Sequence, residues 1–177
     1  FPLDQMATAF EVLSSEEQES RVLVAAIRRE RIEDLGAWTA RLGSVPQRLD
    51  VDLLGRWQTL RDTLPEDEEA RQVLLILEGH RADLIVTHGP QPALLRSLAG
   101  DPADGGGLSE TLEELAYTLT TLEAEWGPAA RTDLQVWAPA DRHGALQAHL
   151  RKLEGIPWTV RDLAELPPVA EGLAHRA

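Results

Sequence analysis

The run Leu84-Ile85-Val86-Thr87, shut off at once by His88-Gly89-Pro90, constrains this chain more than any other stretch. It is short, apolar and rich in β-branched residues, so it reads as a strand from Asp83 to Thr87. Leu134-Gln135-Val136-Trp137 and Trp158-Thr159-Val160 read the same way. Helical patterns lie between them. Ser109 precedes Leu112, Leu115, Leu119, Leu122 and Trp126 at helical spacing, with Gly127-Pro128 as a stop. A second helix is expected from Asp141 to Glu154, with Leu146, Leu150 and Leu153 inward and Gly155 as its end. Pro92 to Leu98 reads as a short helix, and Gly100 to Gly107 as a loop. Strands that alternate with helices predict parallel pairing through right-handed crossovers.

The first half reads as helix. Leu3, Met6, Phe10 and Leu13 form one stripe, and Ser14 with Glu17 has the spacing of a capping box. A long helix carrying Val24, Ile27, Leu35, Trp38 and Leu42 is expected to run to Gly43, with Gly36 as its weak point. Asp50 or Asp52 can cap the next, whose stripe is Leu53, Trp57, Leu60 and Leu64. Thr63-Leu64-Pro65-Glu66 opens another, and the acidic run 66–69 complements the positive end of its dipole. The expected fold is therefore α/β and helix-dominated, with N-terminal helices packed on a small, mostly parallel three-stranded sheet. Residues 1–79 form the helical segment and 80–177 the small α/β segment, together one compact unit.

Several functions are disfavoured by composition. With no cysteine, the chain has no disulfide, thiolate metal site or cysteine nucleophile. No stretch approaches the roughly 18 apolar residues of a membrane span. The opening FPLDQMATAF has no basic segment leading an apolar one, so it does not read as a signal peptide. A cytoplasmic setting is the expectation. The net charge of −13, from 30 acidic and 17 basic residues, is spread along the chain with no basic stripe. Nucleic-acid binding and docking on an anionic membrane both need such a stripe, so neither is expected.

No phosphate loop, dinucleotide fingerprint or nucleophile elbow is present. Asp101 and Asp104 would repel a phosphate from the Gly105–Gly107 run. His143 and His149 stand six apart, about 600° around a helix, and so point different ways. Position singles out other residues. In open parallel sheets, ligands bind beyond the carboxyl ends of the strands. Three such ends would present Thr87, His88 and Gly89; Asp141, Arg142 and His143; and Arg161 with Asp162. The plainer reading makes Asp141 and Asp162 helix caps and His88 a turn residue. The five tryptophans mostly fall on apolar stripes and read as core, with Trp38 and Trp57 as possible anchors for a partner.

Over seven residues, Asp83 to Gly89 resembles the strand-then-His-Gly segment of chelatases and metallophosphoesterases; their other motifs are missing, so no function is transferred. The first functional reading is a non-catalytic binding or regulatory domain acting through protein partners or self-association. The alternative is a small-molecule enzyme, such as a metal-assisted hydrolase. Its catalytic candidates are His88, Asp141 and His143, with Thr87, Arg142 and Asp162 as ligand-binding candidates. No particular metal or cofactor is implied.

Overall fold

The computed structural model describes residues 2–15, 20–46, 49–64, 70–89, 91–127, 129, 131–151 and 156–168. The chain separates into two compact units, residues 1–51 and 52–177.

The first unit begins as a β-hairpin, not as helices. Strand β1 (Met6–Ser15) pairs antiparallel with β2 (Ser20–Arg28), which leads directly into helix α1 (Arg29–Arg41). The spacing of Met6 and Phe10 suits a helix, but Thr8, Phe10 and Val12 equally share one face of a strand. In β2, Val22, Val24 and Ile27 are β-branched, and such side chains pack well on a pleated surface. Cross-strand pairing decides between the two periods: Phe10 lies opposite Val24, and Val12 opposite Val22. The expected long helix is thus real only from Arg29 onward. Ser14 belongs to β1, and Glu17 lies outside the described residues.

The second unit opens with helix α2 (Asp52–Leu60), followed by β3 (Ala70–Glu78), β4 (Arg81–His88) and β5 (Gln91–Leu98). Helix α3 (Gly105–Trp126), β6 (Arg131–Ala138), α4 (His143–Leu150) and β7 (Trp158–Asp162) complete it. These five strands form one mixed sheet in the order β5-β4-β3-β6-β7. The β3–β4 and β4–β5 pairs are antiparallel, whereas β3–β6 and β6–β7 are parallel.

This overturns the helix-dominated expectation of N-terminal helices on a mostly parallel three-stranded sheet. Two elements carry the physical reason. The central strand β3 is buried on both faces, so Val73 to Leu77 shows no alternation and looks like a helix core. Strand β5 holds Ala93, Leu94, Leu95 and Arg96, good helix formers that edge pairing with β4 overrides. Pro92, which has no N–H to donate, sits where the β4–β5 register shifts, on the outermost strand. The expected acidic cap at 66–69, Leu153, Gly155 and the tail beyond 168 lie outside the described residues.

The sheet is covered on both faces. On one, Val73, Leu75, Leu77, Leu84, Val86, Leu134 and Val136 meet the leucine stripe of α3 and Leu146 and Leu150 of α4. On the other, Leu74, Ile76, Ile85 and Trp137 meet Leu53, Trp57 and Leu60 of α2. Arg71 is almost wholly buried at the start of β3, and its Nη2 donates to Gly127 O at 3.1 Å. A cation held at the C-terminal end of α3 meets the negative end of the helix dipole, which offsets part of its burial cost.

Candidate functional site

The antiparallel β4 divides the residues singled out above between opposite edges of the sheet. His88 ends β4 beside the start of β3, where Gly89 N–H donates to Ala70 O at 3.0 Å. Thr87 is fully buried at that same end, its Oγ1 accepting from Gln72 N–H at 3.3 Å. Asp141, Arg142, His143 and Asp162 stand at the other end, beyond β6 and β7. The two groups are separated by roughly 23 Å of strand, seven residues at about 3.3 Å each. His88 therefore does not converge with Asp141 and His143.

The far rim gathers loops rather than a cluster of open side chains. Arg142 Nη1 donates to Pro102 O at 3.0 Å and to Gly79 O at 3.4 Å, tying the β3–β4 turn to the segment before α3. His143 Nε2, at the start of α4, lies 2.9 Å from Ala138 O at the end of β6. Asp162 accepts from Ala164 N–H at 3.0 Å and so caps a 3₁₀ turn, as the plainer reading of its position expects. His80 Nδ1 is 2.7 Å from the Asp101 carboxylate, and His80, together with the Ala103 N–H, holds that carboxyl below its ordinary range. Asp141 is exposed. Among the described residues, no three histidine or acidic side chains stand close enough to hold a metal ion.

Besides Arg71, the charged residues most tightly built into the second unit lie under α2, and the sequence patterns did not single out their pairing. Asp83 is only 3% exposed, and its carboxylate accepts from Arg81 Nη2 at 2.8 Å and Ser97 Oγ at 2.6 Å. Arg81 Nη1 also reaches Asp52 at 2.8 Å, and Arg56 pairs with Glu78. Charge at both ends of an apolar strand was the available signal. These pairs clamp α2 across the sheet.

Arg81 beside Asp52 holds that carboxyl below the usual carboxylate range. A depressed folded-state pKa contributes stability above the unfolded value, lost as pH falls through the folded one, here below about pH 4. Asp52 is partly exposed, so the effect should be small, under about 1 kcal/mol. Urea midpoints should fall from pH 5 to pH 3 (about the range that spans carboxylate titration) and fall less steeply in Asp52→Asn. Equal slopes would remove Asp52 from the acid response.

In the first unit the feature of interest is apolar. Phe10 is 73% exposed, and Val12, Val22 and Val24 beside it on the same face of the hairpin are also exposed. Leu23 and Ala25, on the opposite face of β2, are half-buried, as are Ile32 and Leu35 of α1. Trp38 is exposed on α1, whereas Trp57 is buried beneath α2, so of the two aromatic candidates only Trp38 is free to meet a partner.

An open mixed sheet of this order, with helices on both faces, is an architecture shared with proteins of known structure. A chain of the PilM-PilN type IV pilus biogenesis complex superposes with a TM-score of 0.74 and 20% identity, over 99% of this chain and 67% of that one. A Bacteroides thetaiotaomicron protein described as having an actin-like ATPase fold and unknown function gives 0.56 and 10%, over 97% of this chain and 60% of that one. At these identities the likeness is one of fold, and both of those chains extend well beyond the part this one spans. No protein-family model matches the sequence, and no curated protein matches it.

Proposed function

We propose that this chain is a non-catalytic, protein-binding element of a larger assembly, and that the apolar face of the β1–β2 hairpin is where its partner docks. The observation that carries the reading is that face: Phe10, Val12, Val22 and Val24 form a contiguous, uncharged surface. A two-stranded hairpin is at best marginally stable in water, and needs more strands or a packed apolar face to persist. Contiguous exposed apolar surface of this kind marks a protein or membrane contact, and the net charge of −13 disfavours an anionic membrane. The fold likeness to a chain of the PilM-PilN complex supports a heterologous protein partner over a small ligand. The separation of His88 from Asp141 and His143 takes away the constellation on which the enzyme alternative relied.

The test is site-specific photocrosslinking in the protein's own cells. A crosslinker at Phe10 or Val24 should trap one discrete heterologous protein, and Val22→Asp should abolish the product. The same crosslinker at exposed Glu113 on α3 should trap none. A product made only of two copies of this chain would replace the partner with self-association. No product at either hairpin position would end the proposal.

A further inference from the structure

The C-terminal rim of β3, β6 and β7 is where an open α/β sheet ordinarily offers loops and helix starts to a ligand. An actin-like ATPase fold implies a nucleotide. Its phosphates would need N–H donors and cations free to meet them, and the accompanying divalent cation would need oxygen ligands. The residues at this rim do not fit that demand.

We infer that the rim is closed on itself by Arg142 and takes no nucleoside triphosphate. Closure begins with two glycines. A Cβ at Gly107 would stand 2.2 Å from Asp101 O, and one at Gly100 would stand 2.6 Å from Gly107 O. The loop is therefore folded down onto the first turn of α3, with no room between them. Thr111 Oγ1 fastens it, donating toward Gly107 O at 2.9 Å and Ala99 O at 3.1 Å. The Arg142 guanidinium is turned to the Gly79 and Pro102 carbonyls instead of outward. Three connections are thus joined by one side chain: the β3–β4 turn, the loop before α3, and the segment after β6.

The acidic groups that face solvent have the wrong sign for phosphate. The exposed basic ones are engaged elsewhere: Arg161 lies over the Trp137 ring, in the cluster that α2 packs on, and His80 is held by Asp101. Asp104 and Asp141 are exposed, and the half-buried Asp101 carboxylate is held by His80 and by the Ala103 N–H at 2.8 Å. A triphosphate placed there meets carboxylates of its own charge. Among the described residues these do not gather with other acidic or histidine side chains into a cluster that would hold the divalent cation between them. Closure of the rim does not depend on a partner at the hairpin. Either can fail without the other.

Hydrogen exchange on the full chain tests it, with and without about 1 mM Mg·ATP, a concentration that would populate even a weak site. The wild type should show no nucleotide-dependent protection at residues 79–80, 100–107 or 139–142. Arg142→Ala should exchange about tenfold faster at 79–80 and 100–107, with β3 and β4 unchanged as evidence that the sheet is intact. Both bonds leave the one Nη1, so Arg142→Lys, whose ammonium keeps the donors but has a shorter reach and no rigid plane to aim them, should fall between. Protection of any of these segments by Mg·ATP in the wild type would overturn the inference. So would Arg142→Ala and Arg142→Lys variants whose loops exchange at the wild-type rate.

Discussion

Gly107→Ala is expected to lower stability by about 3 kcal/mol or more, near the upper end for overpacking a closed site. The new methyl would meet the backbone nitrogen, carbon and oxygen of Asp101, all within 2.7 Å. No flexible side chain is there to swing aside. Gly106 is the control. It stands one residue earlier in the same helix, is exposed, and has nothing within 4 Å of its Cβ position. Gly106→Ala should raise stability by about 0.5–1 kcal/mol through helix propensity and the unfolded state. Denaturant midpoints should move in opposite directions for two substitutions that are chemically identical. A shift of the same sign in both would mean that the glycine loop is not folded against α3.

The second large effect is expected at Trp57. It is 5% exposed and, with Leu53 and Leu60, supplies what α2 packs on Leu74, Ile76, Ile85 and Trp137. Trp57→Ala should cost about 3–5 kcal/mol. Trp38→Ala, at a side chain 59% exposed on α1, should change stability by less than about 0.5 kcal/mol. Thermal melts of the two variants separate the core tryptophan from the surface one. Comparable losses would show that Trp38 is covered in solution.

Where a single face of an element decides its period, the element was legible. Helix α3 shows its leucine stripe because one side packs on the sheet and the other carries Glu110, Glu113 and exposed Tyr117. Strands β6 and β7 and helix α2 were legible for similar local reasons, and β4, though buried on both faces, was marked by its β-branched run and the His88-Gly89 stop. Leu74 and Ile76 of β3, however, are as buried as Val73, Leu75 and Leu77, so neither alternation nor a helical stripe marks them as strand. In β1, the Met6–Phe10 spacing satisfies both periods until Val22 and Val24 arrive to pair with it. The candidate site suffered most from direction. That β4 runs antiparallel to β3 is a property of pairing, invisible within Asp83 to Gly89, and it alone carries His88 to the opposite edge from Asp141. Arg142 and Asp162 stand at one rim. Their partners, Gly79 O, Pro102 O and Ala164 N–H, are backbone groups that side-chain patterns do not reveal.

The strand order also sets a schedule for synthesis. Strands β3, β4 and β5 form a meander of neighbours, joined by turns only a few residues long. The other edge of β3 waits for β6, whose Asp133 pairs with Gln72 from 61 residues further along. Local contacts of the first kind form fast, and distant parallel pairing is slow. As the chain leaves the ribosome the meander can close first, while Val73 to Leu77 holds one edge and one face open until α3 and β6 have been made. An unpaired apolar edge of that sort is the surface through which nascent chains join one another. The vulnerable interval for this protein is therefore the time taken to translate α3, and the length of that helix sets how long the central strand must be kept from its neighbours.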